Sequence, residues 1–545
     1  MLLKYITRVG FALLLTSASV GCKKMDLTPY DRFTELNFWQ SDANVSNALN
    51  NVYNRMYNSQ YFFYNEALSD NAYTRLGISA GFPDAISSGN FTPTLARFLD
   101  EWDYYYTGIK AANVFLENVD KNTTMAPALK ERMKGEVRFV RAFHHFKLMN
   151  WWGDIPLLKK DITPDEAKSI ARTPKAEVLQ FILEELDAAA AVLPTVNQYD
   201  AADRGRITKG AAKALKARVL LYEGNRMQEV VAICEELMNN QAANGTYSLV
   251  SRYEDVFSPT NEYNSEVILD LQYIPNLRTW GEHIDFVPLS VGARGNNLAP
   301  TQELVNSYIM LNGKRINEAG SGYDENNPYV GRDPRMGATI VYHGATWRNP
   351  NGTTQTIYIK PGTDPDPAKK NEYKPSGQGT ATGYYWRKYF DPTSVATNFN
   401  SGLNLILIRY AEVLLMYAEA KQALGQMNED VWNKTIRPLR VRAGFTDPAA
   451  LTYPGTANMT EIIRNERRAE FALEGLRIDD IRRWRIAETV LNGWAHGAKY
   501  EDPSVDNGYI RAQLRTFDPA KHYLWPIPAA ELGKNPNLLQ NPNYN

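Results

Sequence analysis

Apolar residues recur at helical spacing through most of the chain, and the strongest such stretch runs from Asn404 to Trp484. Between Leu405 and Leu424 only Arg409, Glu412, Glu419 and Lys421 carry charge. Apolar or small side chains fill almost every other position, which predicts one helix buried nearly all round. A second helix follows, with Ile462, Ala469, Leu473 and Leu476 as its apolar stripe. On it Glu466, Glu470 and Glu474 fall in one i, i+4 column, which repels itself unless cations interleave; Arg464, Arg467, Arg468 and Arg477 are placed to do so.

Other helices follow from the same spacing. Ala48, Leu49, Val52, Tyr53 and Met56 repeat after a Ser41 or Asp42 cap. Phe98, Trp102, Tyr105, Ile109, Ala112 and Leu116 form another stripe, and Leu129 to Met149 a third. Thr173 and Pro174 open a helix to about Leu193, with Thr as cap and Pro at the first helical position. Thr208 caps the run GAAKALKARVLLYEG, which is paired across Gly224-Asn225 with MQEVVAICEELMNN. Small residues at the helix contact (Ala211, Ala212), a tight turn and a second amphipathic helix resemble a tetratricopeptide-type pair, and Ala411, Ala418 and Gly425 repeat that organisation. About four such pairs are expected, three before Asn240 and one after Asn404.

Two stretches break the helical pattern. Gln60 to Thr94 reads as a long exposed loop, and long loops tend to carry function. Ser248 to Gly402 turns to Gly, Asn, Pro and aromatics, with short strand-like runs such as EVILDLQY and GATIVYHG. The expected fold class is therefore mainly α: degenerate tetratricopeptide-like helical pairs forming a scaffold, with a loop-rich insertion region carrying short strands. The expected parts are a helical 37–240, a loop-rich, ligand-binding 248–402 and a helical 404–545 within one domain.

Charge and cysteines narrow the function. Lys plus Arg total 60 and Asp plus Glu 61, so no broad basic field exists to attract nucleic acid. Aromatics make up 12% of the chain, and many of the 32 Tyr and 11 Trp fall in Gly/Asn-rich loops, suggesting a surface that stacks on a ligand. Lys4 and Arg8 precede an apolar run from Val9 to Val20, too short to span a bilayer and suited to a secretory signal. Ser19-Val20-Gly21-Cys22 then resembles a lipoprotein signal box, although Ser19 departs from the usual Leu. Residues 1–21 are expected to be removed and 22–36 to serve as a tether, with acyl chains on Cys22 holding the protein to a leaflet. Cys234, in an apolar helical run, is expected to be a buried free thiol.

Catalytic signatures are weak. His144 and His145 are adjacent, so on a helix they diverge by about 100° and cannot share a metal. No HExxH, P-loop, G-x-S-x-G or dinucleotide fingerprint is present, and GTDPDPAKK lacks calcium-loop spacing; neither a catalytic metal nor a cofactor is expected. The Glu466/Glu470/Glu474 column could supply two carboxylates for sugar hydrolysis. Surrounding arginines instead favour a structural ion-pair network in which every acid stays ionised.

Several segments carry a resemblance. IRYAEVLLMYAEA, NERRAEFALEGLRIDDIRRW and YLWPIPAAELGKNPNLLQNPNY are similar to the SusD/RagB family of Bacteroidota outer-membrane lipoproteins. So are GEVRFVRAFHHFKLMNWWGDIPL, TQELVNSYIMLNGKR, YVGRDPRMGATIVYHG and GYYWRKYFDP, and the likeness extends from about Asp26 to Tyr544. The resemblance implies a non-enzymatic cell-surface protein that captures oligosaccharides and delivers them to a SusC-like TonB-dependent transporter. The alternatives are a peptide ligand, as in some members of that family, a helical-repeat scaffold without ligand, or an anchored glycoside hydrolase. It also implies ligand contacts after the first helix, where Asp70, Tyr73 and Arg75 stand. Trp280 and Trp347, flanked by Gly and polar residues, are the stacking candidates, whereas Trp102, Trp151, Trp484 and Trp525 are expected in the core.

Overall fold

The computed structural model describes residues 38–75, 81–295, 297–375 and 379–544. The expectations for the signal segment, the tether and Cys22 lie outside the described residues.

The amino-terminal part is helical. α1 (Asp42–Asn54) starts at Ser41, whose side chain accepts from the Asn44 amide at 3.4 Å, and buries Val45, Leu49 and Val52. α2 (Ala96–Asn118), α3 (Pro127–Trp152), α4 (Lys175–Val192), α5 (Lys209–Glu223) and α6 (Met227–Asn239) follow, each packed on the one before. Thr208 caps α5 by accepting from the Ala211 amide at 3.1 Å, and Gly224 ends it in the left-handed region at φ 79°. Ala211, Ala212, Ala214 and Ala217 are fully buried, so neighbouring helices approach closely at α5. At α4 the expected arrangement differs: Pro174 is itself the cap, and the Thr173 amide and carbonyl bridge Ile155.

The helical layer continues across the insertion, because α6 packs on α7 (Tyr410–Ala423) and α7 on α8 (Met459–Phe471). A short α9 (Arg477–Arg483) follows. The chain expected as one helix from Leu405 to Leu424 divides at Tyr410. Leu405–Arg409 is a strand, labelled β8, whose residues are all buried. It pairs antiparallel with β2 (Val267–Leu271). A strand buried on both faces has the same unbroken apolar pattern as a buried helix, so periodicity does not separate them. α8 also stops before Glu474, because Leu473 and Gly475 adopt φ values of 63° and 69°. The acidic column therefore has two helical members and a third in the following turn.

Gln60 to Thr94 is less exposed than expected. Short helices at Ser59–Tyr64 and Asn65–Leu68 bury an aromatic run, and β1 (Ala72–Thr74) pairs with β3 (Leu298–Pro300). The insertion adds β4 (Ile340–Val341) with β7 (Tyr385–Trp386), and the hairpin β5 (Ala345–Arg348) to β6 (Thr354–Ile357). β9 (Gly493–Lys499) and β10 (Tyr509–Arg515) form another two-stranded sheet. One contiguous apolar core runs from Trp39 to Ile527. Trp102, Trp151 and Trp525 belong to it, with Trp151 stacked on Trp525 at 4.1 Å between centroids; Trp484 is half-buried beneath Arg464 and Arg483.

Candidate functional site

The carboxylates of α8 and of the turn after it form an ion-pair network with cations from the insertion, β8 and the helix Ile436–Ala443. Glu470 accepts from Arg409 at 2.6 Å, from Arg335 at 2.9 Å and from Arg442. Glu466 pairs with Arg335 at 2.7 Å and Arg440 at 2.9 Å, and Glu474 with Arg409 at 2.8 Å and Lys388 at 2.6 Å. Burial pushes all three carboxyls up, but the guanidiniums outweigh it and hold each below its ordinary range. None is poised to donate a proton near neutrality. The partners come from the insertion, from β8 and from the helix Ile436–Ala443 rather than from the arginines of α8 itself. Arg467 pairs instead with Asp480 at 3.1 Å.

Asp70 is likewise committed. Its oxygens accept from Arg477 at 2.8 and 2.9 Å and from Arg468 at 3.1 Å, and its carbonyl accepts from Thr301 Oγ1 at 2.6 Å. Burial raises its carboxyl, and Arg468 with Arg477 drives it well below the usual range. Asp70 thus fastens β1 to the carboxy-terminal helices, contrary to its expectation as an accessible ligand contact.

Tyr73 and Arg75 sit differently. Tyr73 is half-buried on β1 opposite Ala299, and Arg75, also half-buried, follows the strand. Burial raises the Tyr73 phenol, and the Arg75 charge opposes that rise. The same charge opposes the rise that burial imposes on the phenols of Tyr373 and Tyr385, both buried in the insertion. Tyr385 donates to the Asn371 carbonyl at 3.1 Å, and the Asn371 side chain exchanges hydrogen bonds with Ser290 at 2.8 and 3.0 Å. On the nearby loop Arg294 forks onto Asp285 at 2.7 Å for both contacts, and Tyr64 donates to the same carboxylate at 3.0 Å.

The stacking expectation fails for both tryptophans as free surfaces. Trp280 is 3% exposed: its indole N–H donates to the Leu403 carbonyl at 2.7 Å, and its ring packs on Phe63 and His283 at 4.8 and 4.6 Å. Trp347 is 2% exposed, against Phe390 at 4.8 Å. It does, however, lie in the wall of a groove of about 890 Å³ with Phe257, Tyr342, Arg387, Tyr389 and Phe390. Sequence reasoning missed Tyr373, Tyr385, Arg387 and Phe390. The dense aromatic and cationic run GYYWRKYFDP was the available signal for the last three. His144 and His145 are both buried, and burial lowers each imidazole to about 3.

Helical scaffold and aromatic, arginine-bearing loop face together define a helical-repeat binding protein. Residues 265–544 match the model of the SusD family, and residues 25–221 match the one described as starch-binding associating with outer membrane. The chain belongs to the SusD family, whose members are carbohydrate-binding proteins associated with the outer membrane. A SusD-like protein of Formosa agariphila is 27% identical over 451 residues, covering 81% of this chain and 78% of that protein. The starch-binding protein SusD of Bacteroides thetaiotaomicron is 25% identical over 497 residues, covering 84% and 81%. The crystal structure of a SusD-like carbohydrate-binding protein from Bacteroides fragilis matches with a TM-score of 0.82 at 31% identity, over 92% of this chain and 100% of that one. A laminarin-binding SusD-like protein shares the fold, with a TM-score of 0.68 at 24% identity over 93% and 100% of the two chains.

Proposed function

We propose that this protein is a cell-surface lipoprotein, anchored through Cys22, that captures oligosaccharides without catalysis and passes them to a SusC-like TonB-dependent transporter. The observation that carries the ligand reading is the half-buried pair Tyr73 and Arg75, a phenol and a guanidinium two residues apart at the end of β1. Sugars present apolar ring faces edged with hydroxyls, and a half-buried phenol beside a guanidinium offers both stacking and directional donors. Starch and laminarin binding in the named relatives supports the ligand class. Tyr73 and Arg75 are the contacts in this reading, Asp70 and Trp280 hold the surrounding loops, and Trp347 lines the neighbouring groove. Among the described residues no helix is long and apolar enough to cross a membrane, and the lipid-anchor reading assigns attachment to Cys22.

Purified protein beginning at Cys22→Ser tests the ligand on a glycan array, followed by calorimetry on the best hits. Binding to a defined oligosaccharide class, weakened at least tenfold in Tyr73→Ala and Arg75→Ala, is expected. Binding to peptides with no glycan signal would overturn the reading.

A further inference from the structure

The groove beside Trp347 contains an arginine whose partners set it apart. Its side chain is half-buried, and it is held from one side by a single hydrogen bond, Nη2 to the Thr346 carbonyl at 2.6 Å. The Trp347 ring lies behind it, 5.6 Å from the guanidinium carbon to the centroid. Among the described residues no carboxylate lies within ion-pair distance of Arg387. Its Nε and the Trp347 indole N–H, both covered, have no acceptor there. Arg442, Arg467 and Arg482 also cover an N–H without an acceptor, but each has a carboxylate in ion-pair contact. Arg409 and Arg335 sit among carboxylates, and Arg332, which also lacks one, is bonded to the carbonyls of Val305, Tyr308 and Pro328.

The rest of the groove wall suits a sugar ring edged with charge. Tyr342 and Phe390 are half-buried aromatics, and Tyr342 is steadied by stacking on Tyr329 at 4.2 Å. Arg348 and Asn349, from the same hairpin as Trp347, stand on the rim, and Arg348 is exposed. Two acids face the groove as well. Glu254 is paired with Arg252, and Asp255 is the one acid of the groove without a cation in ion-pair contact among the described residues. Lys388, also in the wall, is neutralised by Glu474 at 2.6 Å. Two guanidiniums against one unpaired carboxylate leave the groove with a small positive excess.

We propose that this groove is a second saccharide site, separate from the Tyr73/Arg75 face, and that it takes an acidic sugar whose carboxylate or sulfate forks onto Arg387 while the ring lies against Phe390 and Tyr342. The proposal rests on the carbohydrate reading above. A guanidinium with free N–H groups, backed by an indole, recognises a planar carboxylate or a sulfate through paired charge-assisted hydrogen bonds. A neutral glycan would leave that cation unsatisfied.

The test is calorimetry of the folded Cys22→Ser protein with three probes of equal length: an oligogalacturonate, a sulfated galactan oligosaccharide and a neutral malto-oligosaccharide. The expected result is binding of one acidic probe, weakening as salt rises from 50 to 500 mM. Arg387→Gln should lower that affinity roughly tenfold or more, as loss of a bidentate charged pair does. Arg348→Ala, on an exposed side chain, should lower it a few-fold, and Asp255→Asn should raise it a few-fold, so the outcome does not depend on Arg387→Gln folding. Selective binding of the oligogalacturonate identifies a carboxylate ligand, and selective binding of the galactan a sulfate ligand. Neutral binding lost in Tyr73→Ala, with no acidic binding, would overturn the second site while leaving the proposed function intact. Acidic binding unchanged by Arg387→Gln, Arg348→Ala and Asp255→Asn would also overturn it.

Discussion

Replacing Glu470 with Leu isolates the ionic centre of the fold. The connected cluster holds Asp333, Glu266, Glu466, Glu470 and Glu474 against Arg335, Arg409, Arg440, Arg442 and Lys388, so acids and bases balance. Glu470 is completely buried and touches three of those guanidiniums. Leu at this position leaves a net positive charge in the interior and removes acceptors from Arg335, Arg409 and Arg442. Loss of one partner from a buried ion pair costs about 3–5 kcal/mol, and the remaining acids Glu266, Glu466 and Glu474 hold the value within that range rather than above it. Urea unfolding followed by circular dichroism at pH 7 should show a corresponding fall in the midpoint. The double variant Glu470→Leu/Arg442→Met restores charge balance and should lose less than the two single losses together. Because the folded carboxyl is held below its unfolded value, the stability it contributes is present above the unfolded glutamate pKa of about 4.3 and disappears as pH falls. The gap between wild type and variant should therefore shrink on acidification. A variant within about 1 kcal/mol of wild type at pH 7, well below the cost of a broken buried pair, would refute the network as a stabilising element.

Asp270 has the opposite sign: burial and then Glu262 raise its carboxyl to about 7, so its contribution is present at low pH and is lost as pH rises toward 7. Asp270→Asn should stabilise the protein at pH 8 by about 1–3 kcal/mol and flatten the thermal midpoint between pH 4 and 7. Gly475→Ala should destabilise by about 1–3 kcal/mol in the same urea assay, since a Cβ there would meet the Phe62 carbonyl at 2.7 Å and the backbone φ is 69°. Cys234 is buried with its thiol pushed up by burial, and should react with a thiol reagent only after denaturant is added. Cys22→Ala should move the expressed protein out of carbonate-washed membranes; continued sedimentation with them would refute the anchor.

Much of the scaffold was legible before folding because helices are local. The stripes of α1, α2 and α3, the Ser41 and Thr208 caps and the Gly224 stop all depend on residues within a few positions of each other. The salt-bridge reading of Glu466 and Glu470 was also accessible, since the region is rich in arginine. Which arginines serve was not: Arg335 and Arg409 reach α8 from the insertion and from β8.

Other features were decided only by the tertiary structure. Leu405–Arg409 is a strand because Val267–Leu271 supplies the pairing edge, and no local pattern records a partner so distant in sequence. Trp280 and Trp347 have polar and Gly neighbours along the chain but Phe63, His283 and Phe390 around them in space, so flanking composition misjudged their exposure. Arg387 gains its indole backing only where the hairpin β5–β6 folds against it. Periodicity reports which face of an element is apolar. What that face meets depends on long-range packing, and the candidate site is made entirely of such meetings.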